Sequence, residues 1–158
     1  MKLRAGCMLA ILGLLTLDTA FAATIEFAEK WDSINGPGGD RCSIDIDYSS
    51  STETYDFKSG KKNECKNDQM SYFKLNDVPS ATLIGLYAEA NCRTYRKPDW
   101  YFILRVYIQP LSTQWYAIPD VEGTDRGKIF KRGLRVEENV YNQGNIKGKL
   151  SCVTILLK

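Results

Sequence analysis

The sequence predicts an all-β protein, an antiparallel Greek-key sandwich or small barrel stabilised by disulfides. Short segments with a strand pattern recur about every ten residues, with turns between them. No segment keeps a helical period, because Pro79 and Gly85 interrupt the one stretch, 70–90, that could be misread as a helix. Four cysteines remain after the first 22 residues, and an even number in an exported chain is typical of two disulfides.

The first 22 residues have the features of an export signal. Lys2 and Arg4 provide a positive start, and an apolar run from Met8 to Leu17 follows. That run is shorter than the roughly 20 residues that span a bilayer. Ala20-Phe21-Ala22 then places small residues at the two positions that a signal peptidase reads. We therefore expect cleavage after Ala22, a single all-β domain at 23–158, and a secreted or periplasmic protein without membrane insertion.

Two segments have the alternation of a half-buried strand. In 42–48 one face would carry Cys42, Ile44, Ile46 and Tyr48, and in 100–108 one face would carry Phe102, Leu104, Val106 and Ile108. We expect the segment 65–92 to form a central hairpin, and 114–118 to pair back on 100–108 as a second one. The segment 128–136 is expected to be a strand with a bulge at Gly133. Ser33–Asp40 and Pro119–Gly127, both polar and rich in turn residues, are expected to be surface loops.

The composition excludes several chemistries. The chain has no histidine, which excludes histidine-based nucleophilic triads and most catalytic zinc sites. Without Lys2, Arg4 and Asp18, the 21 basic and 19 acidic residues become 19 and 18, a net charge of +1. A charge so close to neutral argues against nucleic-acid binding. We expect a non-enzymatic protein that requires no cofactor; the enzymatic alternative is a hydrolase using carboxylates alone, such as Asp45 and Asp47.

Three pairings of Cys42, Cys65, Cys92 and Cys152 are open. We favour Cys42–Cys65 with Cys92–Cys152, because the second bridge would close a long loop and so restrict the unfolded chain strongly. A zinc site is the alternative. It is disfavoured because the cysteines lack C-x-x-C spacing and there is no histidine to complete it.

The segment Asn67-Asp68-Gln69-Met70-Ser71 resembles a motif of the βγ-crystallin superfamily, which includes secreted microbial members. In that motif two acidic or amide residues precede two free positions, a hydroxyl residue and a serine; here Tyr72 stands where the last serine would be. The resemblance covers about residues 54–108. It implies a Greek-key sandwich with Asn67, Asp68 and Ser71 as calcium ligands. From the residues alone, Asn67 and Asp68 would instead form an Asx turn.

Two further groups of residues are candidates for contacting a partner. The aromatic group contains two Trp-Tyr pairs, in which one residue of each pair should be buried and the other exposed. Its members are Trp31, Trp100, Tyr101, Trp115 and Tyr116. The basic group is Arg126, Lys128, Lys131, Arg132, Arg135, Lys147 and Lys149. Within these groups, the residues predicted to bind a partner are Trp100, Trp115, Lys131, Arg132 and Arg135, although core packing and surface solubility are the simpler interpretations.

These observations predict an exported binding protein that presents loops on a rigid sandwich. Protease inhibitors and small toxins occur among secreted microbial relatives of the resembled family, so the resemblance implies an inhibitor or antagonist of another protein, such as a protease or toxin-like target. The alternative is a carbohydrate-binding or adhesive module that binds a glycan through exposed aromatic residues. Calcium is the one ligand that the resemblance adds.

Overall fold

The computed structural model describes residues 22–60 and 63–158. This part of the chain forms an open sandwich of two antiparallel sheets, which confirms the predicted all-β fold class. The predicted export signal, apart from Ala22, lies outside the described residues. Nowhere in the described chain is there a helix with the length and apolar character needed to cross a membrane.

Ten strands lie within the described residues. They are β1 (Thr24–Asp32), β2 (Gly36–Asp45), β3 (Thr52–Asp56), β4 (Tyr72–Asn76), β5 (Leu83–Tyr87), β6 (Trp100–Val106), β7 (Tyr116–Ala117), β8 (Ile129–Lys131), β9 (Leu134–Tyr141) and β10 (Cys152–Leu156). Short 3₁₀ turns occur at Ala90–Cys92 and Ile118–Val121. One sheet has the strand order β2-β1-β4-β7, and the other has the order β3-β10-β5-β6-β9-β8.

The core lies between the two sheets. Alternate residues of each central strand point inward, as the pleat requires, and are fully buried. They include Ile25, Phe27, Phe73 and Leu75 from the four-stranded sheet, and Ile84, Leu86, Phe102 and Leu104 from the six-stranded sheet. The inward-facing residues predicted for 42–48 are therefore confirmed at Ile44 and Ile46. Those predicted for 100–108 are confirmed at Phe102, Leu104 and Val106 of β6.

Both predicted hairpins are wrong. β4 and β5 lie in different sheets, and the turn between them crosses the sandwich. This turn is held by mutual backbone hydrogen bonds between Val78 and Leu111. β5 pairs instead with β6 and β10, and the short β7 pairs with β4 rather than with β6. A buried strand needs a partner on each side, and those partners come from distant parts of the chain.

The predicted loop Ser33–Asp40 is mostly strand. Only 33–35 form a turn, and Gly36 already begins β2, where Pro37 faces Trp31 across the pair. Glycine and proline are tolerated here because β2 is an edge strand of its sheet. The strand ends at Asp45, so Tyr48, predicted to face the core, is 54 % exposed.

The predicted strand 128–136 with a bulge is also revised. It forms two short strands, β8 and β9, which pair around a turn at Gly133, whose φ of 88° lies in the left-handed region. The other predicted loop, Pro119–Gly127, is folded against the body of the protein. Its Val121 is fully buried, and the Asn139 amide donates hydrogen bonds to the carbonyls of Glu122 and Thr124, each 2.8 Å long.

Two disulfides, Cys42–Cys65 and Cys92–Cys152, have the pairing favoured from the sequence. The first joins β2 to the segment that precedes β4. The second joins the 3₁₀ turn after β5 to β10. Two disulfides in a domain of this size are typical of proteins that fold in an oxidising compartment.

Candidate binding site

The most distinctive surface feature is the tip of the β1–β2 hairpin, which we call the tip (Asp32–Asn35). One carboxylate oxygen, Asp32 Oδ1, accepts hydrogen bonds from the backbone N–H groups of Ile34 (2.9 Å) and Asn35 (2.8 Å). It also accepts one from the Asn35 side-chain amide at 3.0 Å. Aspartate forms such turns readily because its short side chain reaches the backbone two and three residues ahead. The conformation of the tip is thus fixed by its own residues.

The charge of Asp32 supports this arrangement. The backbone N–H groups of Asn35 and Ile34 stabilise the carboxylate and hold the pKa of Asp32 below its ordinary value. The side chain is therefore ionised at neutral pH, where it accepts hydrogen bonds only and so can hold all three donors.

Ile34 projects from the locked tip into solvent and is 90 % exposed. A single exposed apolar residue is common on protein surfaces. Here the residue stands at the end of a hairpin whose backbone is already ordered, so a partner could bury it without ordering a flexible loop. This combination of full exposure and local order is what a contact residue needs.

The hairpin is also braced below the tip. Glu29 accepts a hydrogen bond from the backbone N–H of Asp40, at 3.2 Å, across the pair. Gly39, with φ of 69°, leaves room for the Glu29 side chain, since a β-carbon at Gly39 would lie 2.8 Å from the Glu29 β-carbon. Lys66 forms an ion pair with Asp40 at 2.7 Å. The hairpin is therefore tied to the segment that leads into β4.

A concave surface of about 430 Å³ lies beside the tip. Its lining includes Trp31, Pro37 and Tyr72, the charged residues Lys30 and Lys147, and Asp32 and Asn35 of the tip itself. Trp31 belongs to the aromatic group recognised in the sequence, but the contribution of Tyr72 from β4 was missed. Only the pairing of β1 with β4 brings these residues together.

Trp100, predicted to contact a partner, cannot do so, because none of its side chain is exposed. It stacks on Phe102 with ring centroids 5.2 Å apart, and its indole N–H donates to the backbone oxygen of Asn145 at 3.3 Å. Trp100 is therefore a core residue that also holds the 143–150 loop. Trp115 is half-buried.

The predicted basic group does not form one surface. Lys131 is the last residue of β8, an edge strand of the six-stranded sheet, and Arg132 lies in the turn that follows. The Lys131 ammonium lies 5.3 Å from the Phe130 ring centroid. Arg135 is paired with Glu137 at 2.6 Å, and the same carboxylate also binds Arg105 at 2.7 Å. Lys147 and Lys149 lie on the separate loop between β9 and β10. Positive side chains on an edge strand discourage pairing with other chains, which is a sufficient role for those at β8.

The Glu137 carboxylate shows how firmly Arg135 is held. Burial opposes its ionisation, but the hydrogen bonds and charges of Arg105 and Arg135 outweigh this effect and hold the pKa of Glu137 below its ordinary value. Arg135 is thus committed to an ion pair within the protein.

The residues implied as calcium ligands lie together but are occupied by protein contacts. Asp68 accepts hydrogen bonds from the Ser151 hydroxyl (3.0 Å) and from the Asn67 side-chain amide (2.8 Å). Asn67 thus presents its NH₂ group, which does not fit a cation, while its own side-chain oxygen is buried without a hydrogen-bond partner. Ser71 is buried. Its hydroxyl and the backbone oxygens of Asp68 and Gln69 surround Gly148, and all three oxygens lie within 4.0 Å of the position that a β-carbon would take there. Calcium at Asp68 and Ser71 remains a prediction.

Asp45 and Asp47 line a second, acidic cleft of about 570 Å³. It lies beside the edge strands β2 and β3, and also contains Glu53 and Glu64. The Tyr55 hydroxyl donates to the Asp45 backbone oxygen at 3.0 Å. Burial, and then the negative charges around it, raise the pKa of Tyr55. A hydrolase that used carboxylates alone would act here, but the cleft is shallow and open.

In comparisons with protein-family models, curated proteins and solved structures, nothing matches this chain.

Proposed function

We propose that the protein is exported and acts as an inhibitor or antagonist of another protein, which it contacts through the tip of the β1–β2 hairpin. The observation that carries this proposal is the exposed Ile34 on a turn locked by Asp32. Contact energies in protein interfaces concentrate in a few residues that fill partner pockets. A rigid hairpin that offers one apolar side chain fits this role.

The size of the expected contribution follows from burial. Transferring an isoleucine side chain from water into an apolar pocket contributes about 1.5–3 kcal/mol. Because the turn is already held by three hydrogen bonds, little of this is lost to ordering the backbone. At the tip, one residue should therefore change the affinity by roughly 10- to 150-fold.

Export and the relationship to βγ-crystallins belong to the same proposal. The N-terminal pattern of charge, apolar run and small residues supports export, and the two disulfides agree with an oxidising destination. The relationship rests on the motif at 67–71 and on the predicted Greek-key arrangement.

The test compares two exposed isoleucines. Immobilised 23–158 is incubated with proteins from its native surroundings, as wild type, as Ile34→Asp and as Ile129→Asp. Ile129 is 53 % exposed and lies at the opposite edge strand β8, so it controls for general stickiness. The expected result is one protein retained by wild type and Ile129→Asp but lost from Ile34→Asp.

The retained protein is then purified and assayed for its own activity with increasing amounts of each variant. Wild type should inhibit it at a one-to-one ratio, and Ile34→Asp should require at least tenfold more. A partner that binds all three forms equally, or that keeps its activity when bound, would remove the proposal.

A further inference from the structure

The outward surfaces of the two sheets differ in chemistry. At the centre of the four-stranded sheet the outward residues are polar: Glu26 forms an ion pair with Lys74 at 3.2 Å, and Ser43 lies on the other side of Glu26. An antiparallel sheet with one face in water usually carries polar residues on that face. The six-stranded sheet departs from this pattern, because the centre of its outward surface is uncharged and largely apolar.

We call the outward surface of β3, β10, β5, β6 and β9 the outer face. The pairing of these strands aligns their outward residues in rows that run across the sheet. One row passes through Thr154, Gly85 and Ile103, and the next passes through Leu156 and Leu83. The uncharged residues that adjoin one another on the outer face are Thr52, Thr54, Leu83, Gly85, Tyr101, Ile103, Val140, Thr154 and Leu156.

The middle of the outer face is flat because Gly85 has no side chain. Tyr87 lies over Gly85, where a β-carbon would stand 2.6 Å from the Tyr87 hydroxyl oxygen. The Tyr87 hydroxyl also lies 3.3 Å from the Thr154 hydroxyl. The Tyr87 ring stacks with that of Tyr101 at a centroid distance of 5.8 Å, with 17° between the ring planes. Tyr87 is thus held against the sheet, and a second flat surface could pack here without ordering its side chain.

The protein covers only one end of the outer face with its own residues. The 3₁₀ turn Ala90–Cys92 contacts β3, β5 and β10 there and is fixed by the disulfide to Cys152. Cys152 is fully buried at this end. Farther along the same surface, Leu83, Ile103 and Leu156 are only half-buried, although the inward residues beside them are sealed in the core. The rest of the outer face is therefore open to a partner.

The charges at the margin of the outer face balance one another. Arg105 and Arg135 share the Glu137 carboxylate at 2.7 Å and 2.6 Å, and Arg126 pairs with Glu138 at 3.1 Å. A surface whose charges are balanced and already paired can meet a copy of itself without repulsion, and it has no excess charge to select a charged ligand. The charged residues in and beside the rows are Asp56, Arg105, Arg126, Arg135, Glu137 and Glu138, with equal numbers of each sign.

The area of the outer face sets the strength of association that it can support. Neighbouring strands lie about 4.8 Å apart and outward residues repeat about every 6.8 Å along a strand, so each covers about 33 Å² of the sheet. The open rows therefore offer about 400 Å² on one copy and about 800 Å² on two, measured as a flat area. Because side chains project from the sheet, the accessible surface buried would be larger. Interfaces below about 1,200 Å² form weak, transient associations.

We propose that the protein associates with a second copy of itself through the outer face, as a weak and reversible dimer with a two-fold axis. The two six-stranded sheets pack face to face about 10 Å apart, with Leu83, Ile103 and Leu156 of each copy between them. Because both copies use the same surface, the pair is closed and association stops at the dimer.

The dimer goes beyond the proposed function and can fail independently of it. The tip belongs to the β1–β2 hairpin of the four-stranded sheet, whereas the outer face belongs to the other layer of the sandwich. Each copy in the dimer therefore keeps its tip free for a protein partner. Ile34→Asp should leave self-association unchanged.

The experiment is sedimentation equilibrium of 23–158 between about 1 µM and about 1 mM. It should show a reversible equilibrium of monomer and dimer with a Kd of roughly 10–500 µM, as expected for a small interface. In methyl NMR spectra recorded over the same range, the δ-methyl resonance of Ile103 should move with protein concentration. The δ-methyl resonance of Ile34, on the tip, should not move.

Two substitutions place a charge in the outer face while leaving that charge a partner within the same chain. Ile103→Lys stands opposite Glu138, and Leu83→Glu stands opposite Arg105, each on the neighbouring strand. Each should raise the Kd at least about tenfold, because the dimer would have to bury charge among apolar groups. Thr24→Lys is the control, since it adds a charge to the outward surface of the other sheet and should dimerise as wild type does.

Circular dichroism of each variant checks that its fold is kept, and the Ile103 resonance of wild type tests the proposal without any substitution. A protein that stays monomeric at about 1 mM would overturn the proposal, as would an Ile103 resonance that does not depend on concentration. A dimer that persists unchanged in both Ile103→Lys and Leu83→Glu would also overturn it, because the copies would then be joined through another surface.

Discussion

Removing each disulfide in turn should destabilise the protein unequally, with the larger loss at Cys92–Cys152. The two bridges form a matched pair, because each joins one buried cysteine to one half-buried cysteine. The loops that they close span 23 and 60 residues and do not overlap in sequence. Replacing both cysteines of one bridge by alanine therefore removes similar side chains in the two variants and differs mainly in the loop released.

The magnitude follows from the entropy of loop closure. The relation 2.1 + 1.5R ln n gives about 11 cal/mol/K for the shorter loop and about 14 cal/mol/K for the longer one. At 25 °C these correspond to about 3.4 and about 4.3 kcal/mol of stability. The variant without Cys92–Cys152 should thus be about 1 kcal/mol less stable than the variant without Cys42–Cys65.

The assay is urea unfolding of 23–158 under non-reducing conditions, followed by tryptophan fluorescence and far-ultraviolet circular dichroism. Coincident transitions from the two signals would justify a two-state free energy for each variant. A thiol assay on the unfolded wild type should find no free thiol. A larger loss on removing the shorter bridge, or free thiols in the wild type, would refute the reasoning or the pairing.

Three more predictions concern the tip, a turn and calcium. Because the folded pKa of Asp32 lies below its ordinary value of 3.8, the hydrogen bonds that its carboxylate accepts at the tip are complete at neutral pH and are lost as the pH falls through that lowered pKa. The Ile34 amide resonance should therefore move in this acid range in wild type but not in Asp32→Asn. A constant resonance in wild type would contradict these hydrogen bonds. Gly133→Ala should lower the free energy of unfolding, measured in urea, by about 1–3 kcal/mol because the added methyl group meets Leu111. Gly127→Ala is the control: its φ is similar but the space around it is open, so the loss of stability should be smaller. Equal losses in the two variants would count against the overlap with Leu111. If calcium binds at Asp68, millimolar calcium should raise the melting temperature of wild type and leave that of Asp68→Asn unchanged, and a wild type that does not respond would end the calcium prediction.

The parts of the fold that could be predicted were the strand faces indicated by the alternation of apolar and polar residues. Ile44 and Ile46 face the core, and so do Phe102 and Leu104, because successive side chains of any strand point to opposite faces. The same rule predicted that one residue of the Trp100-Tyr101 pair would be buried, but it did not identify which one. Trp100 was chosen as the exposed one and is the buried one.

The candidate binding surfaces could be predicted only in part. Trp31 was recognised as an aromatic candidate, yet the more distinctive Ile34 was not, because one isoleucine in a turn carries no pattern. The hydrogen-bonding signal was nevertheless present: an aspartate two residues before the exposed position is typical of an Asx turn. The grouping of Lys147 with Lys30 depends on contacts between segments more than 100 residues apart, which no local pattern contains.

The sequence by itself determined the class of fold, the even number of cysteines available for two disulfides after residue 22, and the absence of histidine. These follow from composition and from a two-residue period, which are properties of neighbouring residues. Tertiary structure alone decided that β4 and β5 occupy different sheets, that β2 is an edge strand able to accept Gly36 and Pro37, and that a groove joins the hairpin to the 143–150 loop. The reason is physical: strand partners are selected by burial over the whole core, and residues far apart in the chain compete for the same positions.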